Sequence, residues 1–321
     1  MEWSPPRVRA HMSYLDGPEV EGRQTATRGY TRAAAYVAGH LRDIGLQPIL
    51  NREYRLQYAA RIRRSVRAEF RTIDADTLNW RLGEKWILTD IPSAVRSSGT
   101  GLPLPDAPYF AWNPEAVEAV TDSTRWSMEI GMQEQVTSAP IHVVGMLPGA
   151  DPRVRDSLMV VIAPLDGFGF QGDQSWTDGR DLSIPAAALL ESSRRMAFMQ
   201  ERWSLYPQSI LIMFASGTSD ACQGLAAIQR HFPWDMNLVS RVTVVRMQAD
   251  ERCNWQEEFS QAPLEHARFS QLVAYSPFVE DGEYGFGAWR PRSEALGSGQ
   301  VEGALVVAMR LAQEIMAHVQ P

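Results

Sequence analysis

Two short runs constrain this chain more than any other feature: Leu158-Met159-Val160-Val161-Ile162-Ala163 and Ser209-Ile210-Leu211-Ile212-Met213-Phe214 are apolar almost throughout, with no alternation of polar positions. A strand that faces water on one side alternates, so strands without alternation are covered on both faces. Two further strands are read at His142–Leu147, ending in Pro148-Gly149, and at Val242–Val245. Helical spacing fills the intervals, with a helix from Ala186 to Met199 and a closing helix from Val301 to Val319. Buried strands separated by helices imply an α/β fold, a three-layer sandwich on a mixed, largely parallel central sheet. In such sheets a site forms beyond the carboxyl ends of the strands, which directs attention to the loops after Ala163, Phe214 and Val245.

The N-terminal part fits the same layout. Val8, Met12 and Leu15 share one helical face, the polar loop Asp16-Gly17-Pro18 interrupts, and Ala33, Val37, Ala38 and Leu41 define a second helix that stops at Gly45. From about 54 to 140 the pattern is poorer in strands and richer in Ser, Gly and Pro, as in Ser97-Ser98-Gly99-Thr100-Gly101. The expected organisation is a single domain over 1–321, carrying an irregular insertion or subdomain at about 54–140.

Of the 321 residues, 45% are hydrophobic and 21% charged, enough to bury a sizeable core, and the formal net charge is -7. An acidic balance disfavours nucleic acid, whose phosphates require a basic surface. The densest basic run, Arg61, Arg63, Arg64 and Arg67, reads as a solvated face, with an anion or acidic-partner patch as the functional alternative. Lys85 is the sole lysine, in a polar stretch with nothing to desolvate it, so Schiff-base chemistry is not expected. Cys222 and Cys253 are compatible with two buried thiols, one disulfide or a reactive thiol. No apolar run reaches membrane-spanning length. The opening Met1-Glu2-Trp3-Ser4-Pro5-Pro6 lacks a basic segment followed by an apolar one, which favours the cytoplasm, with export open had a signal been removed. The six histidines, His11, His40, His142, His231, His266 and His318, show no zinc-motif spacing and are expected to be structural.

Several segments nevertheless occur in a familiar order: Leu15 through Glu21-Gly22-Arg23, Gly29, Ala34-Ala35-Tyr36-Val37, Gly45-Leu46-Gln47-Pro48, and Val143-Val144-Gly145-Met146-Leu147-Pro148-Gly149 followed by Asp151-Pro152. Over roughly 8–50 and 140–320 the chain resembles the co-catalytic zinc aminopeptidases. That family includes vacuolar aminopeptidases, glutaminyl cyclases and glutamate carboxypeptidase, with the non-enzymatic nicastrin and transferrin receptor. The resemblance implies two zinc ions held by His and carboxylate ligands, with a glutamate as general base.

The ligand positions implied by that resemblance are mostly rewritten. Where the family has Ala-His-x-Asp-His, this chain has Ala163-Pro164-Leu165-Asp166-Gly167. The bridging aspartate is matched by Asp181 within Gly179-Arg180-Asp181-Leu182-Ser183. The glutamate pair is replaced by Ala221-Cys222, with Asp220 the one carboxylate nearby. The next ligand is replaced by Arg246 before Met247, a cation that repels a metal. The last histidine is missing from Gly287-Ala288-Trp289-Arg290-Pro291-Arg292-Ser293. The expected function is therefore a pseudo-peptidase that lacks the two-zinc centre, has no cofactor, and binds a small-molecule or peptide-like ligand or a protein partner such as an active relative. Two alternatives stand beside it: a metal-independent enzyme using Asp181, Asp166 and Asp220 for acid–base work with Arg246 or Cys222 at the substrate, and, more weakly, a zinc aminopeptidase. A salt bridge between Asp181 and Arg246 filling the old metal site is a purely structural possibility. Trp176, Trp234, Trp255 and Trp289 are placed around the pocket mouth as an aromatic recess for an apolar or cyclic ligand, and Arg290, beside Trp289, is a further substrate-binding candidate.

Overall fold

A computed structural model describes residues 3–49, 53–58, 60–72, 87–89, 109–111, 126–137, 140–167, 170–171, 174–175, 179–218, 224–225, 227–228, 232, 234–247, 255, 259, 264, 266–274 and 298–320. Helix α1, Pro5–Leu15, opens on proline in its first turn, where no intrahelical donor is lost, and buries Val8, His11, Met12 and Leu15. A 3₁₀ segment, Pro18–Arg23, leads to α2, Arg28–Asp43, whose N-cap Thr27 accepts the Tyr30 N–H at 3.1 Å. At the far end Gly45 takes φ +81, Gly45 N–H bonds to the Arg42 carbonyl and Leu46 N–H to the Leu41 carbonyl. That paired pattern is a Schellman stop, and Leu41 and Leu46 both lie in the core beneath it.

The strands follow: β1, Arg55–Gln57; β2, Ala60–Thr72; β3, Ile87–Thr89; β4, Tyr109–Ala111; β5, Trp126–Thr137; β6, Ile141–Leu147; β7, Leu158–Pro164; β8, Phe170–Gln171; and β9, Gln174–Ser175. Helix α3, Gly179–Trp203, crosses to β10, Ser209–Ala215; then come β11, Val239–Met247, β12, Arg268–Ala274, and the last helix α4, Ser298–Val319. Among the described residues the main sheet has six strands in the order β1-β6-β10-β7-β11-β12. The pairs β10–β7, β7–β11 and β11–β12 are parallel, while β1–β6 and β6–β10 are antiparallel. The mixed, mostly parallel sheet with flanking helices is the architecture the sequence implies.

Both faces of the sheet are covered, which explains the unbroken apolar runs. Met159, Val161 and Ala163 of β7 join one cluster with α1, α2, α3 and α4, whereas Leu158, Val160 and Ile162 join a second with Trp255, Phe259 and Leu264. Full burial of each of the larger aliphatic side chains, Ala163 aside, contributes roughly 1.5–3 kcal/mol, so the sheet centre supplies the rigid frame for its strand ends.

Two expectations need correction. Helix α3 begins at Gly179, seven residues before Ala186, and runs through Pro185, so its backbone takes in Asp181. Proline has no N–H, so the helical bond from 185 to the carbonyl of 181 cannot form. The stretch 54–140, read as poor in strands, contains β1, which completes the main sheet, and the long antiparallel pair β2–β5. A register shift between Ser65 and Arg67 interrupts the alternation of β2, and arginine occupies many of its positions, so the usual strand signature is muted.

Candidate functional site

The carboxyl ends of β7 and β10 lie side by side, with Ala215 paired to Pro164, and Leu165 N–H bonded to the Ala215 carbonyl at 2.8 Å. Asp166 follows β7 and is wholly buried. Its carboxylate accepts the Thr218 hydroxyl at 2.5 Å and the Thr25 hydroxyl at 3.3 Å. Thr25 Oγ1 in turn accepts Gly217 N–H at 2.8 Å, where Gly217 has φ +67, a conformation that suits glycine. One carboxylate thereby ties the loop after β7, the loop after β10 and the N-terminal segment together.

The N-terminal segment is held firmly and under strain. Glu21, Arg23 and Ala26 have φ of 49, 55 and 60, three left-handed non-glycine residues within six positions. Arg23 is buried to 1% exposure, donating from Nε to the Leu165 carbonyl at 3.0 Å and from a terminal nitrogen to the Leu15 carbonyl, with Asp16 Oδ1 at 3.4 Å. Asp16 Oδ2 accepts the Ser183 hydroxyl of α3 at 2.8 Å. Gly167 N–H bonds to the Arg23 carbonyl at 2.9 Å, and a Cβ on Gly167 would stand 2.4 Å from the Gly22 carbonyl oxygen. A side chain at 167 would crowd that carbonyl; this is the position of the last histidine in the Ala-His-x-Asp-His motif of the resemblance.

A second group of polar side chains lies on the β6 side. His142 is fully buried, its Nδ1 accepts Ser216 N–H at 3.1 Å, and burial lowers its pKa to about 3. Because Nδ1 accepts, the neutral ring carries its proton on Nε2, which meets no hydrogen-bond partner among the described residues. Tyr58 stacks on His142 with centroids 4.5 Å apart, and its hydroxyl pairs with Ser216 Oγ at 2.9 Å. Tyr30 donates to the Ile141 carbonyl at 2.8 Å; burial, reinforced by the charge of Asp166 and by Tyr58, raises its pKa well above the usual tyrosine value. These groups are neutral and buried, and they fasten loops rather than present acid or base to solvent.

Arg246, the other expected site residue with a described side chain, lies near the end of β11. Its Nε donates to Gln271 Oε1 at 2.7 Å and a terminal nitrogen donates to the Met247 carbonyl at 3.1 Å. Trp255 does not belong to a recess: it is 1% exposed and stacks on Phe259 inside the core, in the cluster that holds Leu158, Val160 and Ile162. Trp234 is half-buried against the same cluster. Asp220, Cys222, Trp176, Trp289 and Arg290 lie outside the described residues, as does the side chain of Asp181.

Among the described residues, the donors at these strand ends do not make up a set for a pair of zinc ions. Pro164 and Gly167 have no donor side chain, and Asp166 is turned onto two hydroxyls. Among the described residues no three of His, Cys, Asp and Glu come together as a metal-holding group. Sequence reasoning missed Thr25, Tyr30, Tyr58, Thr218 and Ser216, single hydroxyl residues that no spacing rule marks.

No protein-family model matches the chain, and no curated protein sequence matches it. Solved structures do. The zinc aminopeptidase BSAP from Bacillus subtilis superposes with a TM-score of 0.53 at 10% identity, over 96% of this chain and 95% of that one. A peptidase M28 precursor from Shewanella amazonensis gives 0.58 at 10% identity, over 98% and 93%. With nearly complete coverage of both chains, this protein has the fold of the zinc aminopeptidases.

Proposed function

We propose that this chain is a catalytically degenerate member of the aminopeptidase fold, one that does not hold two zinc ions and acts by binding a small-molecule or peptide-like ligand or a protein partner. The observation that carries the reading is the state of Asp166. A carboxylate that orients a ligand histidine must aim a lone pair at the imidazole. Asp166 instead receives Thr25 and Thr218 hydroxyls, between a proline and a glycine that offer a metal nothing. The rigid frame of strand ends would then present a recognition surface, with Asp181, Asp220, Cys222, Arg246, Trp176, Trp289 and Arg290 as the proposed contacts.

The direct test is hydrolysis of aminoacyl anilides by purified protein, with added zinc and with a chelator. No turnover above the uncatalysed rate is expected under either condition. Turnover that the chelator abolishes would refute the proposal, and turnover that it leaves untouched would favour a metal-independent enzyme.

A further inference from the structure

Helix α1 is held to the fold by a single face. Val8, His11, Met12 and Leu15 are buried, while Arg7, Arg9, Ala10 and Ser13 are exposed. Ahead of the helix, Ser4 N–H donates to Glu191 of α3 at 3.1 Å, and Arg195 of α3 lies over the Trp3 ring. On the outer side Arg9 meets Glu302 of α4 at 2.6 Å, an exposed pair of the kind that contributes little. On the buried side His11 Nδ1 pairs with the Tyr36 hydroxyl of α2 at 2.8 Å, and Tyr36 stacks on Tyr14 of α1 with centroids 3.9 Å apart.

The groups around His11 are cationic or able to become so. Its ring stands edge-on to that of His40 on α2 at 4.8 Å, and Arg7 of α1 and Arg194 of α3 add positive charge. The carboxylates nearby are engaged: Glu191, wholly buried, receives Arg194 and Ser4 N–H, Asp43 acts on His40, and Glu302 meets Arg9 at the surface. A proton on His11 in place therefore sets a buried cation among cations, a cost the ring does not meet in water. The far end of α1 reaches the candidate site. The Leu15 carbonyl and Asp16 receive Arg23, whose Nε holds the Leu165 carbonyl next to Asp166. Glu21, Arg23 and Ala26 keep their left-handed backbone there, which persists only while the surroundings hold it.

From this placement we propose that α1 is an acid-released clasp on the candidate site. A proton on His11 drives the helix off α2 and α3 while the sheet stays folded; the hold of Leu15 and Asp16 on Arg23 goes with it, and the segment 16–27 beside the strand ends loosens. Docked, His11 titrates at about 4; released, it returns to the ordinary 6.5. Release therefore takes up a proton and is favoured as pH falls from about 6.5 toward about 4. Between about pH 7 and about pH 5 the population with α1 released should rise about twentyfold.

The test is hydrogen exchange of the full chain at those two pH values, corrected for the intrinsic pH dependence of exchange. Protection in 5–15 should lie below that of β7 at both, and should fall about twentyfold at the lower pH, with the loss extending into 16–27. His11→Gln should abolish most of that fall, while β7, which also answers to His142, keeps a pH dependence. Protection in 5–15 equal to that of β7 at both pH values would mean that α1 leaves only with the whole fold, and overturns the proposal. So does a fall that is absent from the native chain or retained in His11→Gln. Should that variant not fold, an NMR titration of the native chain stands in for it: a His11 ring that titrates near its ordinary value with α1 still protected overturns the proposal as well.

Discussion

The carboxylate of Asp166 is a buried tie between three segments that are far apart in sequence. It stands where the aminopeptidase resemblance puts a histidine-orienting aspartate, yet its hydrogen bonds run to Thr218 and Thr25. If it is a loop fastener, removing one donor costs stability and nothing else. Thr218→Val, close to isosteric, is predicted to lower unfolding free energy by about 1–3 kcal/mol, because a buried carboxylate is left short of a donor; urea denaturation measures it. Gly167→Ala should be at least as costly, since the new methyl group meets the Gly22 carbonyl oxygen, and overpacking against backbone costs roughly 1–3 kcal/mol. Asp166 was legible in the sequence because the resemblance fixes its position. Thr25 and Thr218 were not, because they come from 141 and 52 positions away and a threonine in a loop carries no signal of its partner.

Among elements, the helix pair α1–α2 encloses His11. Its Nδ1 pairs with the Tyr36 hydroxyl at 2.8 Å, and His40 stands edge-on at 4.8 Å. Burial, with His40, Arg7 and Arg194 nearby, lowers its pKa from 6.5 to about 4. His142, in β6 opposite Leu56 of β1, is lowered to about 3. For both, the folded pKa is below the unfolded one, so the unfolded chain takes up protons first and stability is lost as pH falls from about 6.5 toward the folded values. Each should cost about 2 kcal/mol between pH 7 and pH 5, seen as a drop in the urea midpoint, and His11→Gln should remove about half of that dependence. Elsewhere, Thr243 Oγ1, Ser270 Oγ and His318 Nε2 form a chain of 3.0 and 2.8 Å contacts that fixes α4 to β11 and β12. Ser270→Ala is predicted to cost about 1 kcal/mol and to raise hydrogen exchange in the last turns of α4. The sequence shows the buried strands and the Gly45 stop plainly, since burial on both faces and a left-handed glycine leave direct marks. It hides β1, which is three residues long, and β12, the last strand of the sheet among the described residues, in which Arg268, Ser270 and Gln271 dilute the apolar pattern. It also hides the backward extension of α3 through Pro185, because proline ordinarily marks a helix start.

For the whole molecule, the likeness to BSAP and to the Shewanella amazonensis peptidase M28 precursor covers nearly the full length at about one residue in ten identical. A fold survives such divergence because it depends on burial pattern, whereas a metal site depends on particular donors at particular positions. At the strand ends Pro164 and Gly167 have no donor side chain and Asp166 accepts two hydroxyls, within a sheet whose strands are buried on both faces. The proposal that the two-zinc centre has been lost is thus separable from the fold, and it is settled by counting metal. The protein should be purified without chelators, dialysed, and analysed for zinc per chain. The account predicts well below one zinc ion per chain; one or two retained ions per chain would contradict it.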